Sequence, residues 1–298
     1  MNNMLGFLPV ILIFVLGIIT RRIKLFNKEN ADLFLKLVFY VTLPALSLES
    51  IATVDLTFDM IYIPIAAMLT IFITGAIAFL IGKRLKFKDK TMGTFLVGSM
   101  IMNTGFTLPF FTAAFGDNGF VRASLFDLGN SILIFTFIYF VAMKYGKSEN
   151  SSKEMAIKFL KLPPIYAILL GIVFNLSNIH LPQTSLKFLT LVGAPTIPLI
   201  MLSLGIYFHP KNNNFGKISL VLFIRNGLGL LIGYLLASFF HLEGLNRVIV
   251  IISSAAPVGY NTLIFSDMEN LDTEFSATLV SLSIIIGIFY IPFLIYII

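Results

Sequence analysis

Apolar stretches of about twenty residues recur along almost the whole chain, and that is the length a helix needs to cross the hydrocarbon core of a bilayer. No other feature limits the fold so tightly. Only 12% of the 298 residues are Asp, Glu, Lys or Arg, while 57% are hydrophobic. Soluble domains carry about 25% charged residues, so this chain lacks the polar groups to cover a water-facing surface. The mean hydropathy of +0.94 agrees. The expectation is an all-α integral membrane protein in which no soluble domain fits.

Reading apolar runs between charged or Gly/Pro/Asn breaks gives ten expected spans, near 5–20, 31–53, 60–82, 92–116, 119–143, 162–179, 184–208, 217–240, 247–267 and 273–298. The first is followed by Arg21, Arg22 and Lys24 and preceded by no positive charge, the reverse of a secretory leader, so it reads as a retained helix. The loops after the odd-numbered spans hold sixteen Lys and Arg; the opposite side holds Arg122, Lys187 and Arg247. The positive-inside rule then puts the odd loops in the cytoplasm and both termini outside, in a multi-pass protein of the cell (cytoplasmic) membrane. The same rule explains the net charge of +6 without any nucleic-acid partner. The chain has no Cys, which excludes disulfides, thiolate nucleophiles and Cys-ligated metals.

The hydrophilic linker 144–153 divides the sequence into residues 1–143 and 154–298, each with five expected spans. At an offset of 154, two of the four first-half prolines fall on prolines and three of ten glycines on glycines, well above what their frequencies predict. Pro44 meets Pro198, for example, and Gly105 meets Gly259. An odd number of spans makes the second copy enter from the other side. A 5+5 inverted repeat of this kind is a mark of secondary transporters.

Spans 4 and 9 carry the chemistry. Span 4 contains Asn103-Thr104-Gly105-Phe106-Thr107-Leu108-Pro109, and span 9 contains Pro257-Val258-Gly259-Tyr260-Asn261. Pro removes a backbone donor and Gly tolerates an unwound chain. Bare peptide groups are intolerable against lipid, so such breaks persist where they are buried or line a cavity. One reading is an ordinary proline kink in each span. The other is a pair of broken, crossing helices whose half-helix N-termini offer positive dipole ends to an anion.

Two ionisable groups lie deep in spans. Arg225 either coordinates an anionic substrate with its planar fork or serves as a structural donor to backbone carbonyls or an internal carboxylate. Asp127 shares a helix face with Asn130 and Ser131. A buried carboxylate there can carry a coupling proton, an ionised one can help bind Na+, and an ion pair with Arg225 or Arg122 is the structural alternative. No metal or other cofactor is implied.

With these features the chain resembles the auxin efflux carrier family, within the bile acid/sodium symporter-like group. The resemblance rests on Val38-Phe39-Tyr40-Val41-Thr42-Leu43-Pro44-Ala45-Leu46, on the segment from Asn103 to Pro109, and on Ala256-Pro257-Val258-Gly259-Tyr260-Asn261. It covers essentially the full length, and the short central linker resembles that of bacterial members. It implies a scaffold from spans 1, 2, 6 and 7 and a moving unit from spans 3–5 and 8–10. It also implies organic anions as cargo, dicarboxylates such as malate or malonate in bacterial members and auxin in plant ones.

The resulting expectation is a secondary carrier for a small carboxylate, working by alternating access. A channel or a membrane receptor for a small solute is the alternative, and an enzyme is not expected. Expected partners are the small organic anion, the lipid bilayer and, in a homodimer, a second copy of the chain.

Overall fold

Away from water a backbone must satisfy its own N–H and C=O groups, and the apolar stretches do so as helices. The computed structural model describes residues 7–146, 157, 160–161, 163–208 and 215–298, so most of the expected linker 144–153 lies outside the described residues. The helical segments are α1 Leu8–Arg22, α2 Lys28–Thr53, α3 Phe58–Arg84, α4 Asp89–Met100, α5 Thr104–Gly146, α6 Pro163–Leu176, α7 Gln183–Tyr207, α8 Phe215–Phe239, α9 Gly244–Ser254, α10 Asn261–Met268 and α11 Thr273–Ile297. No β-strand occurs among the described residues; Met102 and Val258 form one isolated antiparallel bridge.

Six segments, α2, α3, α5, α7, α8 and α11, are long and apolar enough to cross a membrane, and α6 and α9 are shorter apolar helices. The protein is thus all-helical and multi-pass. The expected spans 92–116 and 247–267 are not single helices, because each is cut into two pieces, α4 with α5 and α9 with α10. Expected spans 4 and 5 also share α5. At its kink Gly116 has φ 59° and ψ −145°, a region that only glycine occupies at ease. The chain doubles back there: Thr104 and Asp127 would stand roughly 35 Å apart on a straight helix, yet their side chains are hydrogen-bonded.

The chain forms two compact units, each drawing on both halves of the sequence. The first comprises Met1–Met60, Leu108–Ser124 and Leu160–Phe208, and the second Ile61–Thr107, Leu125–Phe159 and His209–Ile298. The first therefore gathers expected spans 1, 2, 6 and 7, as the resemblance implies, and adds the two arms around Gly116. Within it α1 and α7 pack closely through Gly17 and Gly205; a Cβ on Gly17 would lie 2.9 Å from the Cα of Gly205. In its core the Thr196 hydroxyl donates to Thr42 Oγ1 at 2.9 Å, and these two threonines are 154 residues apart.

Candidate substrate site

The second unit holds both helix interruptions. α4 ends at Met100, and Ile101 turns to an extended conformation (φ −75°, ψ 120°). α5 then starts at Thr104, with Asn103 as its cap: Asn103 Oδ1 accepts from the Phe106 N–H at 3.1 Å. The gap falls ahead of Gly105 and Pro109, which sit inside α5 rather than at the break the sequence assigns to them. α9 ends at Ser254 and α10 starts at Asn261, and here Pro257 and Gly259 do lie within the gap.

The two gaps satisfy each other. The Asn103 N–H donates to the Pro257 carbonyl at 2.8 Å, and the Gly259 N–H donates to the Ile101 carbonyl at 3.0 Å. Asn103 Nδ2 donates to the Val258 carbonyl at 3.5 Å, and the Val258 N–H donates to Ser283 Oγ at 2.7 Å. Peptide groups that would each cost several kcal/mol against lipid are paired in this way. Gly259 is required by proximity, since a side chain there would run into that of Ile101.

Two half-helix C-termini and two N-termini meet at this crossing. The wholly buried Arg225 serves the C-terminal ends. Its guanidinium donates to the carbonyls of Ser99 at 3.1 Å and Met100 at 3.4 Å, at the end of α4, and to that of Ser254 at the end of α9. A cation is favoured where helix carbonyls converge. Its neighbour Asn226 donates to the Ala255 carbonyl at 3.2 Å. Both residues lie in a π-helical turn, Phe223–Leu228, and the Tyr290 hydroxyl donates to the Asn226 carbonyl at 3.1 Å. Of the structural readings open for Arg225, donation to backbone carbonyls is the one present. A pair with Asp127 is not.

Asp127 serves the N-terminal end of α5. It accepts from the hydroxyl of Thr104, the first residue of that helix, from Ser131 Oγ at 3.3 Å and from Asn130 Nδ2 at 3.4 Å. Asn130 Nδ2 also lies 3.0 Å from the Met102 carbonyl and 3.4 Å from Thr104 Oγ1, while its Oδ1 has no partner among the described residues. Arg122 donates to Asn118, at 2.9 and 3.1 Å.

Of the other expected site residues, Thr104 and Thr107 are buried, and the Thr107 hydroxyl donates to the Thr104 carbonyl at 3.1 Å. Gly105, Tyr260 and Asn261 are half-buried, so the crossing has an accessible side. Phe106 is wholly buried, which separates it from Tyr260, its expected equivalent. Pro109 belongs to the first compact unit. Asn226, Ser283 and Tyr290 are the contributors sequence reasoning missed. Only Asn226 carried a signal, as an amide beside an intramembrane arginine.

The family described as "Membrane transport protein" matches residues 4–295. Two similar proteins are archaeal. An uncharacterized transporter of Methanocaldococcus jannaschii is 27% identical over 286 residues, 91% of each chain. One of Methanothermobacter thermautotrophicus is 27% identical over 296 residues, 96% of this chain and 95% of that one.

Proposed function

Because this chain belongs to the membrane transport protein family, the auxin efflux carrier group its sequence resembles, we propose that this transporter is a secondary carrier moving a small organic carboxylate across the cytoplasmic membrane by alternating access. The observation that carries this reading is the paired crossing. Two helix N-termini, at Thr104 and Asn261, open within one buried, mutually hydrogen-bonded junction. Such ends attract negative charge, most strongly where water is scarce.

The substrate contacts in this reading are Asn103, Thr104, Gly105, Tyr260 and Asn261, with Phe106, Thr107, Pro257, Val258 and Gly259 shaping the junction. Asp127, Asn130 and Ser131 are the place for a coupling H+ or Na+. The ten-span inverted repeat is part of the proposal, supported by α4 and α9 ending at Met100 and Ser254, which are 154 residues apart.

Counterflow in proteoliposomes tests the reading. Purified protein should exchange a labelled organic acid against the unlabelled acid saturably, and Asn103→Ala and Asn261→Ala should each remove at least nine-tenths of that exchange while still inserting. Flux that rises linearly with concentration would mark a channel instead. Wild-type exchange in both variants would remove the crossing as the site.

A further inference from the structure

The crossing brings together four helix ends, and the chain itself supplies opposite charge to three of them. Arg225 serves the C-termini of α4 and α9 through the carbonyls of Ser99, Met100 and Ser254. Asp127 serves the N-terminus of α5 through Thr104. The fourth end, the N-terminus of α10, has no acidic residue in its first turn. At the position 154 residues beyond Asp127 stands Ser281, an uncharged side chain. The hydroxyl of Thr262, the second residue of α10, is wholly buried and has no hydrogen-bond partner among the described residues. One N-terminal end is thus filled from within, and the other offers a buried hydroxyl that no side chain or carbonyl of the described residues satisfies.

We propose that Asp127 is a specificity-determining residue: it is the crossing's own carboxylate at the N-terminus of α5, so that one N-terminal end, that of α10 with Asn261 and Thr262, is left for an external carboxylate. This rests on the reading of the crossing as an anion site and narrows its cargo to monocarboxylates. A second carboxylate on the solute would meet Asp127 across the junction. Like charges at close range in a poorly screened interior repel strongly. Removing the charge of Asp127 frees the α5 end, and a solute with two carboxylates can then bridge both N-termini.

The test is equilibrium binding by thermal shift and isothermal titration on the purified full-length protein. It uses pairs of acids matched in carbon skeleton, such as butyrate with succinate and propionate with malonate, across a panel of ring and chain lengths. Every titration is run at one fixed pH and Na+ concentration, so that ion occupancy at Asp127 is set by the same buffer for both acids of a pair. The wild type should bind the monocarboxylate of a pair more tightly. Asp127→Asn should shift the ratio of dissociation constants toward the dicarboxylate by about tenfold or more, the scale of one helix-end charge interaction. Asp127→Ser, which copies the residue type at position 281, should do the same and gives a second route should the amide variant fold poorly. Asp127→Glu keeps the carboxylate on a longer stem and should restore the wild-type order, a result that a merely structural role for the Asp127–Thr104 contact would not give. A wild type that prefers dicarboxylates, an unchanged ratio in both Asp127 variants, or equal loss of both acids in them overturns the proposal. Binding of no acid by the wild type would instead remove the anion-site reading itself.

Discussion

Arg225 shows what a buried cation does when no carboxylate is among its hydrogen-bond partners. Its planar fork reaches carbonyls on two different helix ends at once, which a compact ammonium on a flexible stem cannot reproduce. Arg225→Met should orphan these carbonyls, at about 1–3 kcal/mol for each buried group left unpaired. The expected outcome is a markedly lowered melting temperature in detergent together with loss of exchange. Arg225→Lys, which keeps the charge but serves fewer carbonyls, should fall between. A melting temperature in Arg225→Met equal to that of the wild type would show that the arginine does not hold the two ends. The sequence made Arg225 legible as an intramembrane charge needing a partner. It could not say which partner, because backbone carbonyls are carried by every residue and leave no mark on composition. For Asp127 the helix-face reading with Asn130 and Ser131 was recoverable from spacing, whereas Thr104 joins them only because the chain reverses at Gly116.

At the scale of elements, Gly and Pro marked which spans break but not always where. Pro257 and Gly259 lie in their gap, whereas Pro109 sits inside α5, where its missing N–H deprives only the carbonyl one turn earlier. The opening before Thr104 is set by Asn103, whose side chain caps the following helix and whose backbone pairs with the other gap. That pairing spans more than a hundred and fifty residues and is invisible to local patterning. Two glycines separate strain from crowding. Around Gly116 nothing lies within 4 Å of where a Cβ would be, so Gly116→Ala should cost only backbone strain, about 1–3 kcal/mol. Gly259 has ordinary room in φ but none for a side chain, so Gly259→Val should push the two gaps apart and abolish exchange beyond any loss in stability. Melting curves and counterflow measured on both variants check this split. Equal effects of the two substitutions on transport would contradict it.

Over the whole molecule, the offset found in the sequence returns in backbone geometry that composition cannot produce. Positive φ occurs at Lys24 and Asn178, and at Gly116 and Asn270, each pair 154 residues apart; Lys86 and His241 match to within one residue. Such residues commonly end helices, and the recurrence supports two copies of one chain path. Thr42 bonded to Thr196, and Met100 and Ser254 sharing Arg225, are contacts that join positions separated by that same offset. Two copies alone leave their direction open, since a parallel and an inverted repeat would show the same offset. Sidedness separates them, and a chain without cysteine needs no background removed before single cysteines are introduced. Lys88 follows α3 and His241 follows α8; both are exposed, and they occupy nearly equivalent places in the two halves. In an inverted repeat with both termini outside, Lys88→Cys should react with a membrane-impermeant maleimide only in inside-out vesicles, and His241→Cys only in intact cells. Labelling of both from one side would make the copies parallel. The two N-terminal ends at the crossing would then point the same way, and the symmetry that lets one solute be reached alternately from either face would be lost.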